Sequence, residues 1–432
     1  MNLRWPASKA DLLRIQSERK RIAFERAKQA LFYRGKLDDI DADRLDDPEV
    51  WTKIPLTTKD DLRNIPPQEF HAQFCIQPQT AAVEYWRSGG STGRPLFYPR
   101  SAEDSEHSLL SFRRGFAIAG ATADDLAHIS FPLGVHPVAH LYARAATQCG
   151  IGTIWCGGGT NTPSEAQLQI IEQLRPTIWT GMASYGLHLA NLAELTGFDL
   201  AGSSVRKLIV AAEPLSSAKR QKLERMWGAE IFDQFGMSEG ALMACEGTER
   251  AGMHVWSDLF YCETVDEVTG EPLPEGEVGT LAMTPLWNNT MTPFLRWNSG
   301  DLVSMTQPRP SDSAAPWSVF PILHHERRTV GFFKVRGVNI NHPDLEDLIF
   351  HEPRISEFRA EVYNDTDGLD VLHLLIETKR DVLETEANIM VADMVRKTFQ
   401  VTPKITVQPI GTIAREFEAN VKAPRFVDRR GV

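Results

Sequence analysis

What the chain lacks narrows its function before any motif is read. Its 5 cysteines, Cys75, Cys149, Cys156, Cys245 and Cys262, are an odd number without a CxxC pair. Neither a disulfide framework nor a zinc ribbon is signalled, and the thiols are expected to be reduced. No apolar stretch approaches the roughly 20 residues a membrane span needs, and the opening Met1-Asn2-Leu3-Arg4-Trp5-Pro6 has no apolar signal core. Positive charge is in deficit, 46 Lys and Arg against 57 Asp and Glu, for a net charge of -11. There is no global basic field to grip nucleic acid or anionic lipid, although a local basic groove can still serve a phosphorylated cosubstrate. Internal repeats and low-complexity tracts are absent too. The expectation is a cytoplasmic protein that binds neither nucleic acid nor membrane.

What is present is enough for a sizeable core: 432 residues, 42% hydrophobic and 24% charged, a length that suggests two domains. Ser8 can cap a helix with apolar positions Leu12, Ile15, Ile22 and Leu31, expected to end near Gly35. A Gly/Ser loop follows at Arg87 to Pro95, and a helix with an acidic first turn begins after Ser101. From Leu126 to Gly236, β-rich runs at 129–131, 152–156, 178–182, 208–211 and 230–235 alternate with helices such as 164–174 and 216–226. That is the pattern of a βαβ sheet covered on both faces. Past Gly252 come shorter strands, including 279–283 and 302–305, and a Pro/Ser-rich surface loop at 307–316. From Thr329 the chain reads as a small α+β unit: strand 332–335, helix 344–350, a hairpin turning at 365–368, helix 384–399 and strand 405–409. The fold class expected is therefore α/β, with a large domain over residues 1–328 and a small one over 329–432.

Four segments carry chemistry. The loop Ser88-Gly89-Gly90-Ser91-Thr92-Gly93-Arg94-Pro95 offers glycines for close backbone approach, two hydroxyls and a cation. It either holds phosphate oxygens or is a flexible surface turn, and it is not a GxxxxGK[ST] loop. Ala211-Ala212-Glu213-Pro214 and Asp233-Gln234-Phe235-Gly236-Met237-Ser238-Glu239 each close a strand at the carboxyl edge of the sheet, where open α/β folds bind ligands. A carboxylate there suits Mg2+ on ATP phosphates, and a helix cap or solvated role suits it equally. In Arg296-Trp297-Asn298-Ser299-Gly300-Asp301, the Asp at the turn can accept ribose hydroxyls or close an ordinary Asx turn. Lys422, in a basic tail, reads by itself as solvated.

Taken in this order, the segments resemble the adenylate-forming superfamily, and specifically its phenylacetate–coenzyme A ligase branch. Further resemblance lies in Tyr33-Arg34, in Ile54-Pro55-Leu56-Thr57-Thr58-Lys59-Asp60-Asp61-Leu62, in Pro176-Thr177 with Ser184-Tyr185, in Arg336-Gly337-Val338-Asn339 and in Lys422-Ala423-Pro424-Arg425-Phe426-Val427-Asp428. The resemblance implies a ligase that uses ATP, Mg2+ and coenzyme A to activate a small-molecule carboxylic acid as an acyl-adenylate. It implies a mobile C-terminal domain as well, and it leaves a homodimer open as the protein assembly. By the same resemblance Ser91, Thr92, Gly93 and Arg94 would meet the β- and γ-phosphates, Glu239 would bind Mg2+ and Asp301 would hold the ribose. Ala212, Glu213, Pro214, Asp233, Gln234, Phe235, Gly236 and Ser238 would line the nucleotide, Arg328 would sit near ribose and hinge, and Lys422 would reach the carboxylate and α-phosphate.

The chain departs from that pattern in four places. Arg94 replaces a lysine, Thr329-Val330-Gly331 replaces an acidic hinge pair, and Val421 replaces a glycine before Lys422. Where some relatives hold zinc, Cys245, His254 and Cys262 are present, but the expected CxC reads Leu323-His324-His325-Glu326. The acid pocket is expected around Phe131, Val135, His136, Ala211 and Met237, apolar and aromatic enough for a flat aryl or arylacetic acid. His136 would meet the substrate carboxylate or serve the structure. Two rival readings stand beside this one: adenylation with a carrier-protein thiol or an amine as acceptor, and a nucleotide-binding scaffold without turnover.

Overall fold

The computed structural model describes residues 3–88, 94–308, 315–326, 332–366, 368–413 and 425–430. The chain divides into two compact units, residues 1–125, 133–153 and 232–326 in the first, and 126–132, 154–231 and 327–432 in the second.

In the first unit, the helix Lys9–Ala27 starts where Ser8 accepts the Asp11 N–H, and it buries Leu12, Ala23, Phe24 and Ala27. It stops eight residues short of the expected Gly35. Bonds from the N–H groups of Gln29 and Ala30 to the carbonyls of Arg26 and Ala27 tighten the chain out of α geometry. The turn that follows, Leu31–Tyr33, drives Tyr33 into the core, where its hydroxyl accepts the Leu295 N–H at 3.1 Å. The helix Ala102–Ile118 opens on a capping box of Ser101 and Asp104, and Asp104 also accepts the N–H groups of Thr290 and Met291. Beside these helices lies an antiparallel set of strands in the order Phe260–Val265, Gly279–Pro285, Trp297–Thr306, Ile322–His325, Met253–Val255, Ala241–Glu246, with the strand Glu230–Met237 next to the last. The strand Gly279–Pro285 is buried along its whole length, so it lies in the core rather than on a half-wet face.

In the second unit the strands Leu126–Ile129, Ile178–Gly181 and Lys207–Ala211 pair in parallel. The helices Ser164–Leu174, Ala183–Thr196 and Ser217–Trp227 accompany them, as the alternation of β-rich and helix-period segments requires. The first strand begins three residues before the expected Ile129. Thr177 sets that start, its N–H donating to the Leu126 carbonyl and its Oγ1 accepting the Leu126 N–H. Gly228 ends the third helix at φ +60, with Ala201 O only 2.6 Å from where a Cβ would stand, so only glycine fits this cap.

The C-terminal part of this unit carries the expected α+β elements. A hairpin, Phe332–Val335 with Val338–Asn341, turns through Arg336 and Gly337, both at positive φ. A mixed sheet in the order Lys404–Gln408, Asp370–Thr378, Ile355–Asn364, Phe426–Asp428 follows, with the helices His342–His351 and Glu384–Phe399. The fold class is α/β, as the sequence pattern indicates.

Candidate active site

In the first unit the stem of the Gly/Ser loop is pinned on both sides. The Ser88 N–H donates to the Leu96 carbonyl at 2.8 Å, and Ser88 Oγ accepts the Leu96 N–H at 2.9 Å. The loop then runs into the short strand Phe97–Arg100. Side chains two apart on a strand share a face, and here Tyr98 and Arg100 both reach the segment Ser238–Glu239. The Tyr98 hydroxyl donates to Glu239 Oε1 at 2.8 Å, while Arg100 Nη2 donates to the carbonyls of Ser238 at 2.7 Å and Glu239 at 2.8 Å. Ser238 Oγ in turn donates to the carbonyl of Arg87 at 3.3 Å. Glu239 is 6% exposed, so its carboxylate is a buried hard-oxygen donor beside the loop stem rather than a solvated cap. That is the donor chemistry a Mg2+ ion bridging phosphates takes. The turn beyond Glu239 is tight. Ala241 sits at φ +81, and a Cβ on Gly236 would come within 2.4 Å of Ala241 O.

Alternation along the strand Glu230–Met237 divides the expected nucleotide residues. Gln234 points into the core, accepting the Tyr142 hydroxyl at 2.6 Å and donating to Gly115 O at 2.9 Å, while Asp233 and Phe235 take the other face. Phe235 meets His325, ring centroids 5.5 Å apart, and His325 Nε2 lies 3.7 Å from Asp301 Oδ1. Asp301 stands in an irregularity of the strand Trp297–Thr306, not in the inter-strand turn expected of it. The residues between Asn298 and Leu302 outnumber their partners on the strand Gly279–Pro285, so the chain bulges. Within the bulge Asn298 Oδ1 accepts the Gly300 N–H and Ser299 Oγ accepts the Asp301 N–H, with Gly300 at φ +71. An Asx turn does form in this segment, but on Asn298 and not on Asp301, for which it is the alternative. Arg296, buried at φ +41, anchors the bulge by donating to both oxygens of Glu263 and to the carbonyls of Thr52, Ile54 and Gly270.

In the second unit the three parallel strands end at Ile129, Gly181 and Ala211, and the expected residues follow directly. Ala212 takes φ +74, a strained conformation for alanine. Glu213 accepts both the N–H and the hydroxyl of Ser184, the latter at 2.7 Å, so its carboxylate ties this loop to the start of the helix Ala183–Thr196. Pro214 is exposed. Phe131 and Ala211 are buried here, with Ser130 bonded to Gln167 Oε1 at 2.7 Å; Gln167 Nε2 donates to Gly157 O and the Tyr185 hydroxyl, each at 2.9 Å.

The remaining expected residues divide as follows. Val135, 53% exposed, His136 and Met237 belong to the first unit. Arg94 Nη2 donates to the carbonyls of Arg63 at 2.8 Å and Ile65 at 3.0 Å, which holds the loop's exit stem on the end of a short helix. Ser91, Thr92, Gly93, Arg328, the segment 329–331, Val421 and Lys422 lie outside the described residues. Cys245 and His254 face each other in register across neighbouring strands, but His254 Nε2 is bonded to Glu249 and burial pushes the Cys245 thiol well up. Among the described residues no group of three or more His, Cys, Asp or Glu is placed to hold a metal ion. Tyr98, Arg100, His325 and Gln167 are parts of these sites that the motifs do not name. Only the alternation of Tyr98 and Arg100 just past the loop could have drawn attention to them.

A family model described as AMP-binding enzyme matches residues 38–285. Similar proteins include the phenylacetate–coenzyme A ligase of Thermus thermophilus, 28% identical over 93% of each chain, and that of Pseudomonas putida, 28% identical over 88% of this chain and 85% of the other. Among solved structures, 2-hydroxyisobutyryl-CoA ligase in its postadenylation state superposes with a TM-score of 0.83 at 21% identity, covering 98% of this chain and 91% of that one. The same ligase with 2-HIB-AMP and CoA in the thioesterification state gives 0.68 at 20% identity, over 99% and 92%. Glu239 beside the stem of the Gly/Ser loop, Asp301 on its bulge and Glu213 at the carboxyl edge are set in a fold these ligases share, and the chain belongs to the AMP-binding enzyme family.

Proposed function

We propose that the chain is an AMP-forming acid–coenzyme A ligase acting on an aromatic or arylacetic carboxylic acid. In the first half-reaction a carboxylate oxygen attacks the α-phosphorus of ATP and pyrophosphate leaves. In the second, the coenzyme A sulfur attacks the acyl carbon of the acyl-adenylate, losing its proton as AMP departs. The chemistry crowds negative charge and needs no obligatory general base, so electrostatic stabilisation is the main requirement.

The observation that carries this reading is the buried carboxylate of Glu239 held by Tyr98 beside the Gly/Ser loop, within a chain of the AMP-binding enzyme family. In this reading Glu239 holds Mg2+, which neutralises phosphate charge when bound. Ser91, Thr92, Gly93 and Arg94 hold the β- and γ-phosphates. Asp301 takes the ribose hydroxyls, with Phe235 and the 212–214 loop on the nucleoside. Arg328 serves the ribose and hinge, and Lys422 serves the α-phosphate. Phe131, Val135, His136, Ala211 and Met237 take the acid. The small domain, residues 329–432, moves between the two half-reactions, and the enzyme works in the cytoplasm. Support for the acid class comes from the phenylacetate–coenzyme A ligases that this chain resembles at 28% identity.

Pyrophosphate exchange into ATP, screened over aliphatic, benzoic and arylacetic acids, tests the proposal. Exchange with arylacetic or benzoic acids, and thioester on adding free coenzyme A, is expected. Acid-dependent ADP release would overturn it, and adenylate without thioester would move the acceptor to a carrier thiol or an amine.

A further inference from the structure

Two buried side chains, Tyr98 and Arg100, converge on the turn at Ser238 and Glu239. Tyr98 is wholly buried and spends its hydroxyl on Glu239 Oε1 at 2.8 Å. Arg100, equally buried, donates through Nη2 to two successive carbonyls, Ser238 at 2.7 Å and Glu239 at 2.8 Å, and through Nη1 to Asn288 O at 3.2 Å and Thr292 Oγ1 at 3.1 Å. Its guanidinium lies on the Trp86 ring, 4.6 Å from the centroid. An arginine buried this deeply is costly to desolvate. Here its fork holds main-chain oxygens rather than a carboxylate, so its effect is to fix where the turn sits. The tyrosine fixes something different: the rotation of one carboxylate about its own axis, by occupying one of its two oxygens.

We propose that Tyr98 and Arg100 are positioning residues for the metal-binding function of Glu239, an inference that rests on the reading of Glu239 as the Mg2+ ligand. Arg100 sets the backbone of the turn, and Tyr98 orients the carboxylate so that it meets the ion without first giving up rotational freedom. Both lie on the strand Phe97–Arg100, which follows the Gly/Ser segment in the chain. Outer partners of this kind typically change metal affinity by about 10- to 100-fold when lost.

The test is Mn2+ binding to the full chain in the presence of ATP, followed by the electron paramagnetic resonance of free Mn2+, for the parent, Tyr98→Phe, Arg100→Lys and Glu239→Gln. Tyr98→Phe removes one oxygen atom and is expected to raise the Mn2+ dissociation constant about tenfold with little change in thermal midpoint. Arg100→Lys keeps the charge but cannot bridge from the Ser238 and Glu239 carbonyls to Asn288 O and Thr292 Oγ1 at once, and it is expected to shift affinity in the same direction. Mg2+ half-saturation of pyrophosphate exchange should move in parallel. If Glu239→Gln weakens Mn2+ while Tyr98→Phe and Arg100→Lys bind it like the parent, the positioning role is overturned. If Glu239→Gln itself binds Mn2+ like the parent, the reading of Glu239 as the ligand falls instead.

Discussion

At the scale of single residues, burial decides which candidate side chains remain available to substrates. Glu239 keeps a carboxylate in a nearly closed turn, so removing its charge is expected to hurt the reaction and not the fold. Glu239→Gln should lower adenylation by on the order of 100-fold with an unchanged thermal midpoint. Near-normal turnover at saturating Mg2+ would leave the residue a structural role only. His128 offers a second test. Burial brings its imidazole down to about 4 from 6.5, with Nε2 3.0 Å from Gln167 Oε1. As pH falls through 6.5 the unfolded chain takes the proton and the folded one does not, so stability is full above 6.5 and is lost progressively towards 4. His128→Gln should flatten this slope by up to about 1.4 kcal/mol per pH unit, read from denaturant unfolding between pH 6.5 and 4. An identical slope in both proteins would exclude His128 as a source of the acid sensitivity. The motif residues themselves were legible because their types state their chemistry, a glycine loop for phosphates or a carboxylate for a cation. Gln234 shows the limit. It belongs to the same motif as Phe235, but strand alternation sends it to the core, and only the strand's orientation reveals which of two neighbours faces a ligand.

At the scale of elements, periodic signals survived, while some boundaries moved. The helices Ser164–Leu174 and Glu384–Phe399 fall where their apolar spacing places them, whereas the first helix ends early because tertiary burial of Tyr33 outweighs helix propensity. The bulge that presents Asp301 was not legible, since its cause is a mismatch with another strand. One element carries a further prediction. In the helix Ser217–Trp227, Lys219 pairs with Glu346 at 3.0 Å, and Lys222 donates to the carbonyls of Ile355 at 2.6 Å and Ser356 at 3.0 Å. The cluster continues through Arg425, 3.4 Å from Glu346 and 2.9 Å from Glu357. Burial brings the Lys222 ammonium down to about 8 from 10.5. Between those values the unfolded chain holds a proton that the folded chain has released, so stability should rise with pH across this window. Lys222→Met is expected to lose that rise, measured as the difference in unfolding free energy from the parent at pH 8 and 10.5. A difference that stays constant with pH would contradict it.

At the scale of the molecule, the two half-reactions ask for different surroundings, and Lys422 is the residue through which they can be told apart. If the small domain brings its ammonium to the α-phosphate only for adenylation, Lys422→Ala should cost roughly 3 to 4 kcal/mol there, about a 100- to 1,000-fold loss. Thioester formation from supplied acyl-adenylate should stay within about tenfold of the parent. Single-turnover quench separates the steps, and equal losses in both would argue against alternation.

Among the non-glycine residues with left-handed backbone, Ala212 and Arg296 stand in the 211–214 and 296–301 segments and Ala241 just past Glu239. For an engineer this means that the chain's reserves of thermal tolerance and its catalytic register are stored in the same bonds. A library selected for heat resistance should find Ala212→Gly and Ala241→Gly early, because glycine relieves the strain. The clones that carry them should turn over more slowly, as their ligand loops gain slack along with their higher melting points.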